Sequence, residues 1–161
     1  MATFGRFLDD VGDGSGDMEG AQNHTGGVEF FAQPAAGVTW RVTKIVVYVT
    51  DEKGGVSNEL GKITAVTTGM QFRKYDGSSA TNLNTTVVKQ NSHFADDFQE
   101  VTSARYNDSA DEETIIATMY PGMTGNMLTY AGTSNERISV TLDDNYSGLL
   151  QLRIWAEGYE I

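Results

Sequence analysis

GVTWRVTKIVVYVTD, residues 37–51, is the stretch of this sequence that decides the fold. Apolar residues recur at every second position in two registers: Val38, Trp40 and Val42, followed by Ile45, Val47 and Val49. The slip of one residue at Thr43 and Lys44 predicts a β-bulge inside a single long strand. Val46 and Tyr48 make the opposite face apolar as well, so we expect this strand to be covered on both sides and to be central in an antiparallel sandwich. Val47 and Val49 are expected in the core.

The chain from residue 28 onwards has the pattern of short strands separated by turns. Further strands are predicted at residues 28–32, 70–73, 83–88, 99–106, 114–120, 126–131, 137–142 and 150–156. This spacing, with no alternation of helices and strands, favours an all-β fold, a two-sheet antiparallel sandwich of the jelly-roll type. An immunoglobulin-like sandwich is the alternative, but the Cys…Trp…Cys pattern of that fold is missing.

Residues 1–27 differ in composition from the rest. The segment DDVGDGSGDMEGAQNHTGG, residues 9–27, is rich in Gly, Asp and small polar residues. Because such a segment buries too little to offset its ordering entropy, residues 1–27 are predicted to be a Gly/Asp-rich N-terminal arm, and residues 28–161 the β-sandwich domain. The arm is expected to dock on a neighbouring subunit or on the domain through Phe4, Phe7 and Leu8. Its deletion should leave the melting temperature of the domain nearly unchanged.

Charge and composition limit the partners. The formal net charge is −11 and the chain has no cysteine. An acidic protein is disfavoured as a ligand of nucleic-acid phosphates or of an anionic membrane, and the missing cysteines exclude disulfides and thiolate catalysis. No apolar segment approaches the ~20 residues of a membrane span, and the N-terminus lacks the apolar region of a signal peptide. We therefore expect synthesis in the cytoplasm, with no nucleic-acid or membrane partner.

Residues that could carry chemistry are scattered. The acidic cluster between Asp9 and Glu19 lacks the ligand spacing of a calcium loop. His24 and His93 are far apart and flanked by polar residues, which is typical of surface histidines. No serine lies in a Gly-x-Ser-x-Gly elbow, and adjacent carboxylates on a strand point to opposite faces. The sequence therefore predicts no catalytic, cofactor-binding or metal-ligating residue, no cofactor and no enzymatic activity.

Aromatic residues suggest a contact surface. Trp155 lies on the face of the last strand that is opposite its apolar row, so we expect a loop or another subunit to cover it. The predicted interface residues are Phe4, Phe7, Leu8 and Trp155. Tyrosines in predicted loops, Tyr106 beside Asn107 and Tyr146 beside Asn145, offer a sugar-stacking platform as the alternative.

Four pieces of the sequence, in this order, resemble a group of small jelly-roll virion proteins of tailed bacteriophages. They are GDGSG at residues 12–16 with GGVEFF at 26–31, PAAGVTWRV at 34–42, LGKITAVTTGM at 60–70, and LDDNYSGL at 142–149 with the strand that ends in EGY at 157–159. The resemblance implies a structural virion component, a decoration (cement) protein that binds the major capsid protein lattice. It implies a homo-oligomer, for which a trimer is the simplest expectation, on the capsid exterior or on a tail or fibre. A carbohydrate- or receptor-binding jelly-roll module of a tail or head fibre is the alternative.

Overall fold

A computed structural model describes residues 1–9, 28–52, 70–82, 100–105, 112–121, 128–142 and 151–161 of the chain. These residues form ten strands: β1 (Ala2–Phe7), β2 (Val28–Ala32), β3 (Thr39–Glu52), β4 (Met70–Tyr75), β5 (Ala80–Asn82), β6 (Glu100–Arg105), β7 (Glu112–Met119), β8 (Leu128–Ala131), β9 (Arg137–Leu142) and β10 (Gln151–Glu160). Two antiparallel sheets pack together, so the predicted all-β sandwich is confirmed at that level. Sheet A has the order β1-β10-β3-β7-β6, with β8 also paired to β3, and sheet B has the order β2-β9-β4-β5.

The long strand β3 is central to sheet A, as predicted. It pairs with β10 on one side and with β7 and β8 on the other. The register along β10 shifts at the predicted bulge, because Glu157 faces Lys44 whereas Gly158 faces Val42. Thr43 is the extra residue, and its hydroxyl donates a hydrogen bond to the carbonyl oxygen of Glu157 at 3.3 Å.

The core lies between the two sheets. Sheet A contributes Trp40, Val42, Ile45, Val47, Tyr130, Ile154 and Ala156, and sheet B contributes Phe30, Ala32, Ile138 and Val140, all of them buried. Val47 is fully buried, as predicted, whereas the side chain of Val49 lies outside the described residues. Val46 points to the opposite face and is only 2 % exposed, which agrees with a strand covered on both sides.

The prediction of an N-terminal arm is wrong for residues 1–9. Ala2–Phe7 is strand β1 at the edge of sheet A, paired in register with the last strand. Phe4 stacks on Trp40 with ring centroids 4.2 Å apart, and Leu8 is fully buried. Asp9 then exchanges backbone hydrogen bonds with Phe31 of sheet B. This segment therefore links the two sheets at one corner, and residues 10–27 of the predicted arm lie outside the described residues.

The turn between β4 and β5 is stabilised by the carboxylate of Asp76. One oxygen of the Asp76 carboxylate accepts hydrogen bonds from the backbone N–H groups of Ser78 and Ser79, at 2.9 and 2.8 Å. Gly77 has φ +92°, a conformation that favours glycine. The two backbone hydrogen bonds hold the pKa of Asp76 below its usual value.

Seven of the other predicted strands are present, and their ends lie within four residues of the predicted ones. The predicted strand at residues 83–88 lies outside the described residues. Strand β5 was not predicted, because three residues that follow a turn carry no periodicity of their own.

Candidate functional site

The outer face of sheet A, which is the face turned away from sheet B, carries the candidate site. Side chains alternate along a strand, and the register places Thr3, Gly5 and Phe7 of β1 beside Tyr159, Glu157 and Trp155 of β10. Their neighbours in sequence, such as Phe4 and Ala156, point into the core. The edge strand and the last strand thus form one outward surface of mixed aromatic and polar character.

Trp155 is held in place by three contacts on this surface. Its indole lies against Gly5, where a methyl group would overlap the ring. Phe7 packs edge-on against the indole with ring centroids 4.8 Å apart. The indole Nε1 donates a hydrogen bond to a carboxylate oxygen of Glu157 at 3.0 Å. An aromatic side chain that covers a glycine on an edge strand stabilises the strand pair, and it also fixes the orientation of the ring.

An open groove of about 410 Å³ lies beside this tryptophan. Its lining comes from β1, the bulge of β3 and the end of β10: Thr3, Phe4, Gly5, Thr43, Trp155, Glu157, Gly158 and Tyr159. The volume is at the lower end of the range for small-molecule sites. Gly158 is required for this shape, because a side chain there would overlap the carbonyl oxygen of Arg41 at the bulge. The groove therefore depends on the bulge that the sequence pattern predicts.

Exposed apolar side chains gather at the same end of sheet A. Among the described residues, three large apolar side chains are exposed: Met1, Tyr159 and Ile161. Tyr159 lines the groove, and Ile161 continues the ladder to Thr39 through its backbone N–H. Alternation places Ile161 on the same face as Tyr159. Clustered apolar exposure is a feature of contact surfaces, whereas single exposed apolar residues are ordinary.

Glu157 is the charged group of the groove. Besides the Trp155 hydrogen bond, its carboxylate faces the ammonium group of Lys44 at 3.5 Å. Both side chains of this ion pair are more than one-third exposed, so water screens the pair and its contribution to stability is small. The hydrogen bond from the indole thus holds the carboxylate in position. Because the Glu157 side chain stays partly exposed beside Lys44, its carboxylate is accessible to other partners.

The other sheet presents an aromatic and charged cluster that is already complete. The guanidinium group of Arg137 lies 4.7 Å from the ring centre of Phe31 and 4.1 Å from that of Tyr75. It also forms a two-point hydrogen bond to the carboxylate of Glu29, with one N···O distance of 3.0 Å and the other of 2.6 Å. Two aromatic rings, a glutamate and an arginine thus satisfy one another on the outer face of sheet B.

A half-buried polar cluster lies around the buried Tyr130. Lys74 lies over the ring of Tyr130, donates to the carbonyl oxygen of Thr129 at 2.7 Å and faces Glu136 at 3.6 Å. Burial and the charge of Glu136 raise the pKa of the Tyr130 hydroxyl, so this phenol stays neutral. Lys74 thus engages the ring of Tyr130 and the carboxylate of Glu136, whereas the buried Tyr130 hydroxyl has no hydrogen-bond partner.

The structure divides the predicted interface residues into two pairs. Phe4 and Leu8 are core residues, because β1 is part of the sheet, and of the two only Phe4 reaches the wall of the groove. Phe7 and Trp155 contact each other on the outer face. The alternation of Trp155, Glu157 and Tyr159 along the last strand could have shown that these three share a face. The contributions of Gly5 and Thr43 depend on strand register, which the sequence does not reveal.

Several other candidates lie outside the described residues: Asp10, Asp13, Asp17, Glu19, His24, His93, Tyr106 and Tyr146. Within the described ranges, no group of three or more His, Cys, Asp or Glu side chains has the geometry of a metal site. That part of the chain also has no helix long and apolar enough to cross a membrane.

The fit between Gly5 and the indole gives a direct test of the site. Replacing Gly5 with valine should push the indole away from β1 and break its hydrogen bond to Glu157. In a ¹H–¹⁵N spectrum, the Trp155 indole N–H signal should then shift, while the signal of the buried Trp40 stays near its position. Thr3→Val, on the same strand and face, is the matched control and should leave both signals in place. An unchanged Trp155 signal in Gly5→Val would contradict the described packing.

Comparisons with protein-family models, with curated proteins and with solved structures gave no match to this chain.

Proposed function

We propose that the protein is a structural component of a tailed-phage particle, without enzymatic activity, that binds the major capsid protein lattice as a decoration (cement) protein. The observation that carries this proposal is the outer face of sheet A, where the exposed apolar side chains and the half-buried pair Phe7 and Trp155 lie together. Its proposed place is the exterior of the capsid, with a tail or fibre position as the alternative. The protein is proposed to be synthesised in the host cytoplasm.

The strand pairing supports the jelly-roll form of the sandwich that the sequence resemblance implies. Four antiparallel pairs are nested in the chain: β1 with β10, β2 with β9, β3 with β7, and β4 with β5. Successive pairs alternate between sheet A and sheet B. A single antiparallel ribbon that is rolled up gives this arrangement, which contains two Greek keys. Strands β6 and β8 are additions to that framework.

The character of the outer face supports protein contact. Aromatic residues are enriched at the centres of protein interfaces, and polar residues surround them. Here Trp155 and Tyr159 are flanked by Thr3, Thr43 and Glu157. Many copies of a decoration protein bind a repeating lattice at once. Because each copy bridges several capsid subunits, individually weak contacts are sufficient for stable binding. We propose self-association as well, with a trimer as the simplest arrangement.

The charge supports a place outside the shell. A net charge of −11 repels packaged nucleic acid and attracts basic patches on a protein lattice. No contact with nucleic acid or membrane is proposed.

Particle stability tests the role directly. Particles stripped of the protein should release their DNA at a lower temperature than complete particles, because a protein that bridges subunits raises the barrier to their separation. Adding back the purified protein should restore the higher temperature, as followed with an intercalating dye. Trp155→Ala should restore it less well, whereas Ser78→Ala, in the exposed turn on sheet B, should act like the unmodified protein. Identical release temperatures with and without the protein would reject the cement role.

The groove also favours a second candidate function, a carbohydrate- or receptor-binding module on a tail or head fibre. An ordered indole beside hydroxyl groups and a carboxylate is a chemistry that binds sugar rings. The predicted loop platform around Tyr106 and Tyr146 lies outside the described residues. A saturable shift of the Trp155 indole N–H signal on titration with maltotriose would support this second function, and the absence of a shift would contradict it.

A further inference from the structure

The backbone of β1 turns half of its polar groups away from sheet A. Leu8 donates a hydrogen bond from its backbone N–H to the carbonyl oxygen of Ile154 at 2.9 Å, so every second residue before Leu8 also bonds to β10. Thr3, Gly5 and Phe7 fall between these residues, and their N–H and C=O groups point to the outer edge of the sheet. In the part of the chain that the structure describes, no strand pairs with β1 along this edge.

Two contacts confirm the direction of these groups. Asp9 is the next residue in the series, and it exchanges backbone hydrogen bonds with Phe31 at 3.2 and 2.8 Å. The carbonyl oxygen of Gly5 accepts a hydrogen bond from the exposed guanidinium group of Arg6 at 2.9 Å. The edge is therefore open from Thr3 to Phe7, and the pairing of Asp9 with Phe31 closes one end of it.

The edge of β1 lacks most of the features that prevent strands from pairing. Edge strands of natural proteins are protected by prolines, bulges, charged side chains or short length. Strand β1 has six residues and no proline, and Arg6 is its one charged residue. The hydrogen bond from Arg6 to Gly5 lies in water, so a backbone N–H group can replace it. This edge is therefore suited to the addition of another strand.

The sequence of β1 is complementary to itself about Gly5. Antiparallel pairing with a second copy places Gly5 opposite Gly5 of that copy and Thr3 opposite its Phe7. All three outward residues of each strand then form pairs that exchange backbone hydrogen bonds. In this register the second strand ends beside Phe7, just before the position that Phe31 occupies next to Asp9.

Side chains on the outer face add an apolar contact to this pairing. The indole of Trp155 lies over Gly5, where a methyl group would overlap the ring. Phe7 packs edge-on against the same indole. Because both copies have Gly5 at the axis, their indoles come together above the paired glycines. Aromatic pairs between neighbouring strands stabilise a sheet.

We propose that β1 joins two copies of this chain edge to edge, so that sheet A continues through a two-fold axis at Gly5. The Gly5 carbonyl exchanges the Arg6 hydrogen bond for one from Gly5 of the second copy. This inference rests on the self-association in the proposed function and not on capsid binding. It specifies pairs of copies, because a self-complementary edge gives a two-fold contact, whereas a trimer joins two different surfaces.

Light scattering by the full chain at rising concentration tests the pairing, with a dimer as the expected product. Each copy has a net charge of −11, so added salt should strengthen the dimer by screening the repulsion. Thr3→Pro removes an N–H group that points away from β10, and edge strands accept proline at such positions. It should weaken the dimer at least about tenfold. Thr3→Val keeps the N–H group and should change the dissociation constant by less than about twofold. Circular dichroism checks that both variants are folded.

Amide hydrogen exchange tests which backbone groups form the contact. The N–H groups of Thr3, Gly5 and Phe7 should exchange quickly in dilute protein and slowly once the dimer forms. Those of Phe4 and Arg6 are bonded to β10 and should exchange slowly at both concentrations. No contact through side chains alone gives this alternation along one strand.

The two-fold contact would be overturned by a monomer or a trimer at every concentration, or by a folded Thr3→Pro protein that dimerises as well as Thr3→Val. Slow exchange of the outward amides at all concentrations would also overturn it, since a strand of the same chain would then occupy the edge. These measurements use the isolated protein. A failed dimer therefore leaves the DNA-release experiment as an independent test of the cement role.

Discussion

Val47→Asp is expected to unfold the protein. Val47 is fully buried on the inner face of β3, and its register partners are Ile154 of β10 and Ala117 of β7. An aspartate there would bury a carboxylate among apolar neighbours, at a cost of several kcal/mol even when the carboxyl is protonated. Because a typical domain is stable by only ~5–15 kcal/mol, we expect an insoluble protein or the loss of a cooperative melting transition. Circular dichroism on heating measures the effect.

The adjacent residue provides the control for Val47→Asp. Tyr48 belongs to the same strand but points to the outer face, and its side chain is only half-buried. Tyr48→Asp introduces the same charge one position along, so it should lower the melting temperature yet leave a folded protein. If both variants melt alike, the inner and outer faces of β3 have been assigned wrongly. A soluble Val47→Asp protein with a normal melting temperature would show that β3 is not central.

The sequence was most informative where a strand carries its own pattern. The alternation in residues 37–51 predicts β3, its central place and the bulge at Thr43, because a buried strand must be apolar on the face that it buries and a slip in phase needs an extra residue. The predicted bounds of β9 agree with the structure for the same reason, since Ile138 and Val140 alternate with polar residues.

Long-range pairing limited the prediction elsewhere. The apolar residues Phe4 and Leu8 stand before a polar, glycine-rich segment, and nothing nearby identifies their partner. That partner is β10, about 150 residues further along the chain.

The dependence on long-range pairing also limits what the sequence reveals about the candidate site. Trp155 was recognisable from its own strand, whereas Gly5 and Thr43 join the groove only through the pairing of β1 and β3 with β10.

Removing residues 1–9 is expected to abolish stable folding, which reverses the expectation for a detachable arm. The deletion takes away the pairing of β1 with β10 and exposes a new edge on the sheet. It also removes two core side chains, Phe4 and Leu8, which are 6 % and 0 % exposed. Truncating one such side chain to alanine costs about 2–5 kcal/mol, so losing both approaches the whole stability of a typical domain.

Single substitutions in β1 distinguish this loss of packing from a general effect of shortening the chain. Phe4→Ala leaves the backbone pairing intact but removes the ring that stacks on Trp40. It should lower the melting temperature by about 10 °C, since ~1 kcal/mol corresponds to about 2–4 °C in a domain of this size. Phe7→Ala, on the outer face of the same strand, is the matched control and should cost less stability, because its ring is half-buried against Trp155.

If the shortened protein melted at the same temperature as the full chain, β1 would contribute nothing to the stability of the sandwich, and the detachable arm would be the correct interpretation. A large loss for Phe4→Ala with a small one for Phe7→Ala would instead show that the first strand stabilises the sandwich from its inner face, leaving its outer face available to a partner.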